Sequence, residues 1–136
     1  MKQIKNIVHK LLYLAAIGAS IFLLFFVIAC TWIGYEVKNQ CQMAQYKYKG
    51  DCVEVLIAVL KDEKNTYHQR NDAIWSLGQL GDKRALPVLK SFYTGKIPAR
   101  EPYNKMISQY ELRKAINLAG GGINISAFIW RNGIGK

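Results

Sequence analysis

The pattern of apolar and polar positions divides the chain into two unequal parts. Residues 11–33 read LLYLAAIGASIFLLFFVIACTWI and contain no charged side chain. As a helix, these 23 residues would span about 35 Å at roughly 1.5 Å per residue, enough for a hydrocarbon core of about 30 Å. Tyr13 near one end, and Trp32 and Tyr35 near the other, suit the two membrane–water interfaces. The pattern therefore predicts a transmembrane helix over residues 11–35.

A cleaved and lipidated anchor is the alternative interpretation of this segment. Val27-Ile28-Ala29-Cys30 resembles the bacterial lipobox, in which a lipidated cysteine follows a small residue, and this resemblance implies lipidation at Cys30. The apolar run continues past Cys30 through Ile33, which favours an uncleaved helix. Both interpretations leave the rest of the chain tethered to a membrane.

Beyond this segment, apolar residues recur at helical spacing in shorter stretches. A juxtamembrane helix is predicted over residues 36–50, either as a separate element or as an outward extension of the membrane helix. Capping signals followed by a single apolar face predict further helices, which cover about residues 51–61, 66–80, 82–95 and 108–119.

The tail that follows the glycine run at residues 120–122 is rich in Ile, Phe and Trp. It is predicted to be an irregular segment that covers the open end of the core, with a short helix as the alternative. Because helices with one apolar face and short turns stack as antiparallel pairs, the sequence predicts an all-α protein with a short α-solenoid over residues 51–136. Weak internal repetition between residues 55–59 and 85–89 agrees with this expectation.

Residues 70–89, RNDAIWSLGQLGDKRALPVL, resemble the bacterial HEAT-like repeat, the type also found in phycobilisome-lyase proteins. In that pattern an arginine opens the second helix, Ala and Leu line it, and Leu-Gly-x-Leu-Gly-Asp turns the chain into the next repeat. The resemblance implies a small bacterial membrane protein with a helical-repeat domain. The residues that match the repeat motif are Ala73, Leu77, Gly78, Gly81, Asp82, Arg84 and Pro87.

Charge suggests how the chain lies in the membrane. The formal net charge is +10, and no acidic residue precedes Glu36. The basic flank at residues 1–10 carries Lys2, Lys5 and Lys10, so the positive-inside rule places the N-terminus in the cytoplasm. We therefore expect a single-pass protein of the bacterial inner (plasma) membrane whose domain is extracytoplasmic.

Cys41 and Cys52 would be able to form a disulfide in an oxidising compartment. In a tight hairpin that turns near residues 48–50, however, Cys52 would lie opposite residue 47, so a disulfide requires the first helix to end early. Two buried thiols are the alternative, and the sequence leaves both open.

Basic residues accumulate late in the chain, which favours an anionic partner. We predict a partner-binding face that recruits a protein, with an anionic lipid headgroup as the alternative ligand. Nucleic acid is disfavoured because the domain is expected outside the cytoplasm. The residues of this predicted face are Arg70, Arg84, Lys90, Tyr93, Arg100, Tyr103, Tyr110, Arg113 and Lys114.

Catalytic patterns are weak in this sequence. The two histidines, His9 and His68, have no partner at metal-ligand spacing, and the glycine run at residues 120–122 follows a helix rather than opening one. The sequence therefore predicts a membrane-tethered, non-catalytic scaffold or adaptor without a cofactor or metal. A lyase-like accessory role is the alternative that the family resemblance raises, and the oligomeric state stays open.

Overall fold

The structure is a computed structural model that describes residues 1–133, except the side chains of Lys2, Asn132 and Gly133. All regular structure in this range is helical. The elements are α1 (Lys2–Gln45), α2 (Cys52–Lys61), α3 (Tyr67–Leu80), a 3-10 turn (Lys83–Ala85), α4 (Leu86–Phe92), α5 (Gln109–Ala119) and α6 (Ile125–Gly133). The last part of the predicted tail, residues 134–136, lies outside the described residues.

The basic flank, the apolar segment and most of the juxtamembrane segment form one continuous helix, α1. It is long and apolar enough to cross a membrane, and the side chains of its most apolar stretch are exposed. The hydroxyls of Ser20 and Thr31 each donate to the carbonyl four residues earlier, at 2.8 Å. These bonds satisfy the only two hydroxyls of Ser or Thr in the apolar run, as a lipid environment requires.

The second half of α1 also carries the folded domain. Cys30, Gly34, Val37, Cys41 and Ala44 recur at intervals of three or four residues, and all five are buried. Through this buried stripe α1 contacts α2, α3 and α6. The domain therefore packs along α1 from Cys30 onward, which is inside the segment predicted to span the membrane.

α1 ends at Gln45, earlier than the sequence predicts, and the turn that follows returns Cys52 to the helix. Cys41 and Cys52 form a disulfide with Cα atoms 5.1 Å apart. The register of a tight hairpin near residues 48–50 does not apply, because the chain leaves the helix one turn after Cys41.

The short helices begin where capping side chains satisfy their first N–H groups. Asp51 with Glu54 opens α2, and Thr66 with Gln69 opens α3, each as a reciprocal capping box. These helices enclose a core of aliphatic side chains with at most 1% exposure, which comprises Val37, Val55, Leu56, Leu60, Ile74, Leu77, Leu89 and Leu112.

Two sequence expectations about helix boundaries are wrong. Residues 82–95 do not form one helix: Asp82 caps the N–H of Arg84 in the 3-10 turn, and α4 begins only at Leu86, with Pro87 in its first turn. The tail is not irregular, because α6 forms over Ile125–Gly133. The side chain of Asn124 accepts from the N–H of Ala127 and the hydroxyl of Ser126, which caps this helix.

The loop between α4 and α5 is held by a buried amide. The side chain of Asn71 is fully buried, and its Nδ2 donates to the carbonyls of Tyr103 (2.8 Å) and Met106 (2.9 Å). Its Oδ1 accepts from the N–H of Ser108 at 2.9 Å, the bond that a Ser108–Glu111 capping box would give to Glu111. Ser108 still caps the N–H of Glu111, so the predicted box is only half formed, since Asn71 takes its other half.

Helices α3 and α5 approach most closely at Gly78. A Cβ added to Gly78 would lie 2.8 Å from the Cα of Ala115. We expect Gly78→Ala to lower the free energy of unfolding by about 1–3 kcal/mol, because the two backbones must separate. The matched control is Gly18→Ala in the apolar half of α1, where an added Cβ meets nothing within 4 Å. Denaturant unfolding in detergent micelles, followed by tryptophan fluorescence, measures both; a Gly78 variant as stable as the control would contradict this packing.

The Asn71 amide generates a second prediction. Asn71→Ala leaves two carbonyls and one N–H without their partner, so we expect a loss of about 3 kcal/mol and a loosened loop. Trypsin would then cleave faster after Lys96, Arg100 and Lys105. Asn39→Ala, on an exposed position of α1, is the control. Unchanged cleavage in the Asn71 variant would show that other contacts order the loop.

Candidate functional site

Three of the predicted partner-binding residues meet on one face of α5. Arg113 and Lys114 follow Tyr110 by three and four residues, so all three point outward from the same turn. The Arg113 guanidinium lies 5.7 Å, and the Lys114 ammonium 5.1 Å, from the centroid of the Tyr110 ring. Lys114 also forms an ion pair with Glu111 at 3.3 Å. We call Tyr110, Arg113 and Lys114 the α5 basic surface; it is aromatic, cationic and exposed.

Tyr103 lies beside α3 and forms part of a polar cluster there. Its hydroxyl donates to Asp72 Oδ1 at 2.8 Å, and its ring meets the edge of the His68 ring at 5.2 Å between centroids. Burial, followed by the bond to Asp72, raises the pKa of the Tyr103 phenol. His68 Nε2 lies 3.4 Å from Asp72 Oδ2, so the carboxylate is shared by both rings. The cluster therefore fastens the loop to α3.

Sequence reasoning did not find the His68–Asp72–Tyr103 cluster. Its only signal is the spacing of His68 and Asp72, four residues apart on one helix face. A lyase-like role would need a substrate cavity beside His68, whereas the groove and the two shallow depressions recorded along α1 are lined by other residues.

Arg70 does not belong to the predicted binding face. It is buried, with only 8% exposure, and its Nε donates to the carbonyl of Leu60 at 2.9 Å. Its guanidinium also lies 5.8 Å from the ring centroid of Tyr67 and 5.6 Å from that of Phe92. The arginine therefore closes the end of α2 against the start of α3 and is not accessible to a partner.

Arg84 is half exposed, but two carboxylates neutralise it. Its Nη1 lies 2.6 Å from Asp51 Oδ2, and its Nη2 lies 2.9 Å from Asp82 Oδ2. The hydrogen bond to Arg84 is the main cause that holds the pKa of Asp82 below its usual range; for Asp51, the N–H of Glu54 contributes more than Arg84 does. Arg84 thus links the caps of α2 and the 3-10 turn.

The remaining members of the predicted face are separate from α5. Lys90 is exposed on α4, Tyr93 is partly buried at the end of α4, and Arg100 is exposed in the following loop. Among residues 1–133, no hydrogen bond or ion pair joins these three to the α5 basic surface. The nine predicted residues therefore resolve into one compact surface and several side chains elsewhere.

The repeat-motif residues lie at the centre of the domain. Ala73 and Leu77 are in the core, and Gly78 lies against Ala115. Gly81 ends α3 with a φ of 64°, a left-handed conformation that glycine adopts without strain. Arg131 of α6 reaches the same helix end, where its Nε donates to the carbonyl of Gln79 at 3.0 Å.

A small groove lies between the outer end of α1 and helices α2 and α3. Its volume is about 120 Å³, room for a single side chain. Lys47 at its rim forms an ion pair with Asp62 at 2.9 Å, and the Tyr48 hydroxyl donates to the same carboxylate at 2.6 Å. The bond from Tyr48, then that from Lys47, lowers the pKa of Asp62. Sequence reasoning missed this groove, because its walls come from three elements.

Two further predicted sites are placed by the structure. Cys30 is 2% exposed and lies one turn before Gly34, so its sulfur faces the domain rather than the exterior. Among the described residues, no three side chains of His, Cys, Asp and Glu come close enough to hold a metal ion.

Comparison with known proteins identifies the region around α3 and α4. Residues 69–94 match the family model of the PBS lyase HEAT-like repeat. Neither a curated protein nor a solved structure matches the chain. The matched residues cover most of α3, the 3-10 turn and α4, and repeats of this family are generally non-catalytic. The chain therefore contains a HEAT-like repeat in which Gly81 and Asp82 turn α3 into α4.

Proposed function

We propose that this protein is a membrane-tethered, non-catalytic adaptor that binds an acidic protein partner through the α5 basic surface. The observation that carries the proposal is the exposed Tyr110 with two cations against its ring, on a helix that follows a HEAT-like repeat. Tyrosine and arginine are enriched where protein interfaces gain most of their binding energy. The excess of basic residues in the chain favours an acidic partner.

Contacts between the helices support two stacked pairs as the repeat architecture. In the first pair, Arg70 reaches Leu60 at one end, and Arg84 reaches Asp51 at the other, as expected for antiparallel α2 and α3. In the second pair, Gln109 at the start of α5 donates to the carbonyl of Phe92 at the end of α4, at 3.3 Å.

The second helices of the two pairs, α3 and α5, lie side by side. Asn71 bonds to Ser108 and Gly78 faces Ala115; both contacts join residues 37 apart, so these two helices run in the same direction. This is the relation that the equivalent helices of consecutive repeats would have. The outer face of α5 is then the exposed end of a very short array.

The position of the α5 basic surface favours a protein over a lipid headgroup. Gln69 and Ala73 of α3 line the groove beside α1 residues 40–48, whereas Trp75 lies beside α1 residues 29–36. α3 therefore runs along α1 towards the apolar segment, and α5 runs with it. Tyr110 lies near the start of α5, at the end that points away from the proposed bilayer.

The proposed anchor is an uncleaved α1 with its N-terminus in the cytoplasm and the domain outside the bacterial plasma membrane. The uncharged apolar segment supports the span, and the lysines that precede it support this orientation. The Cys41–Cys52 disulfide fits an oxidising compartment. The buried Cys30 fits an uncleaved helix better than a lipidated cysteine, because a lipid on its sulfur would displace the packing around it.

A photocrosslinker placed at Tyr110 tests the adaptor role in intact membranes. We expect a discrete protein adduct that falls at least about tenfold when Arg113→Glu and Lys114→Glu are combined, because reversal replaces attraction with repulsion. Lys61→Glu with Lys64→Glu, at exposed positions at the end of α2 and just after it, is the charge-matched control and should leave the adduct unchanged. A lipid adduct, an adduct insensitive to charge reversal, or no adduct would each contradict the proposal.

Counting thiols tests the proposed topology. In protein extracted from cells and denatured without reductant, we expect alkylation of one cysteine, Cys30, and of all three after reduction. A phosphatase fused after Lys136 should be active, since that enzyme requires an oxidising compartment. Three reactive thiols without reductant, together with an inactive fusion, would place the domain in the cytoplasm.

A further inference from the structure

The outward face of α6 is apolar. Ile125 is 68% exposed and Phe128 is 77% exposed, and Ile123 just before the helix is 91% exposed. The opposite face is also apolar, since Ala127 and Trp130 are buried against the rest of the protein. A helix on a water-exposed surface normally turns polar side chains outward, so this composition indicates a second apolar environment outside α6.

The contact between α6 and α1 sets the height of this helix. A Cβ added to Gly34 would lie 2.6 Å from the Cβ of Trp130, so α6 crosses α1 directly at this glycine. Gly34 immediately follows Ile33, the last residue of the apolar segment. The crossing therefore lies within one helical turn, about 5.4 Å, of the end of the hydrocarbon span. The polar interfacial layer is about 5–7 Å thick on each side of a bilayer, and α6 falls within it.

Exposed aromatic side chains gather at the same height. Trp32 and Tyr35 of α1 are 70% and 65% exposed. Trp75 of α3 joins Trp32 and Ile33 in lining a shallow apolar depression. Tryptophan and tyrosine concentrate where a membrane meets water, so α1 and α3 both present interfacial side chains at the level of α6.

Polar bonds fix which side of α6 faces the domain. Asn124 Nδ2 donates to Gln79 Oε1 at 2.9 Å, and Arg131 Nε donates to the carbonyl of Gln79 at 3.0 Å. Both ends of α6 are thus tied to the last turn of α3. At roughly 100° per residue, Ile125 and Phe128 lie on the side opposite Ala127 and Arg131. Their exposure therefore follows from how the helix is docked.

We propose that α6 is an interfacial helix whose outer face, formed by Ile123, Ile125 and Phe128, inserts into the leaflet surrounding the Ile33 end of α1. The occupant of this face is the bilayer that α1 spans, because the face is continuous in height with the apolar segment and its aromatic border. The inference rests on the proposed membrane anchor. The domain then has two attachments, one helix across the membrane and one along its surface, and its orientation over the lipid is fixed.

Spin labels on the full-length protein in phosphatidylcholine nanodiscs test this inference. Phe128→Cys and Ile125→Cys place labels on the outer face of α6, Phe22→Cys places one in the middle of the apolar segment, and Tyr110→Cys places one on the α5 basic surface. The background carries Cys30→Ala, so that the disulfide is the only other pair of cysteines. Collisions with oxygen, which partitions into lipid, are compared with collisions with a water-soluble nickel chelate.

The expected result is an oxygen-to-nickel ratio at positions 125 and 128 several-fold above that at 110 and close to that at 22. A ratio at 125 and 128 equal to that at 110, with position 22 still in lipid, would overturn the interfacial helix and leave the anchor standing. Labels at 125 and 128 shielded from both reagents would also overturn it, because a protein or a second copy then covers the face. A nickel-accessible label at 22 would remove the anchor and the inference together.

Discussion

One side of α1 has to leave lipid and enter a protein core without a break in the helix. Cys30, Gly34, Val37, Cys41 and Ala44 meet this requirement because they are small or β-branched and share one face. Small side chains let α6 come within contact of the backbone at Gly34, and they let the α1–α2 turn close as a disulfide. A larger residue at any of these positions would push the domain away from the helix that carries it.

Elements whose signals are local in the sequence were predicted well. The apolar segment, the capping boxes of α2 and α3, and the Gly81–Asp82 turn each depend on residues within a few positions of one another. The HEAT-like resemblance was recognisable for the same reason, since its motif falls within residues 69–94, and the comparison with known families confirmed it. Local propensity and capping are sufficient where no distant contact competes.

Features that depend on distant partners were not predictable in the same way. Arg70 carries a charge and was placed on a surface, yet the carbonyl of Leu60 and two aromatic rings make its burial favourable. The Ser108 capping box was half wrong because Asn71, far away in sequence, binds the N–H that Glu111 would have taken. The tail became a helix because α1 offers a glycine at the height of Trp130. None of these partners is visible in a window of neighbouring residues.

The same long-range contacts bear on how such a small array would work as an adaptor. Two helix pairs bury little surface on their own, and a short solenoid needs its ends covered. Here α1 lies against the first pair and α6 closes the angle between α1 and α3, so both end elements are also the elements nearest the proposed membrane. The outer face of α5 is left uncovered, at the other end of the array. Without a break between the apolar segment and the domain, α1 has no hinge at which that face could swing freely. A partner bound to Tyr110 and its two cations would therefore be held at a set distance and angle from the bilayer, which a flexible linker of the same length would not impose.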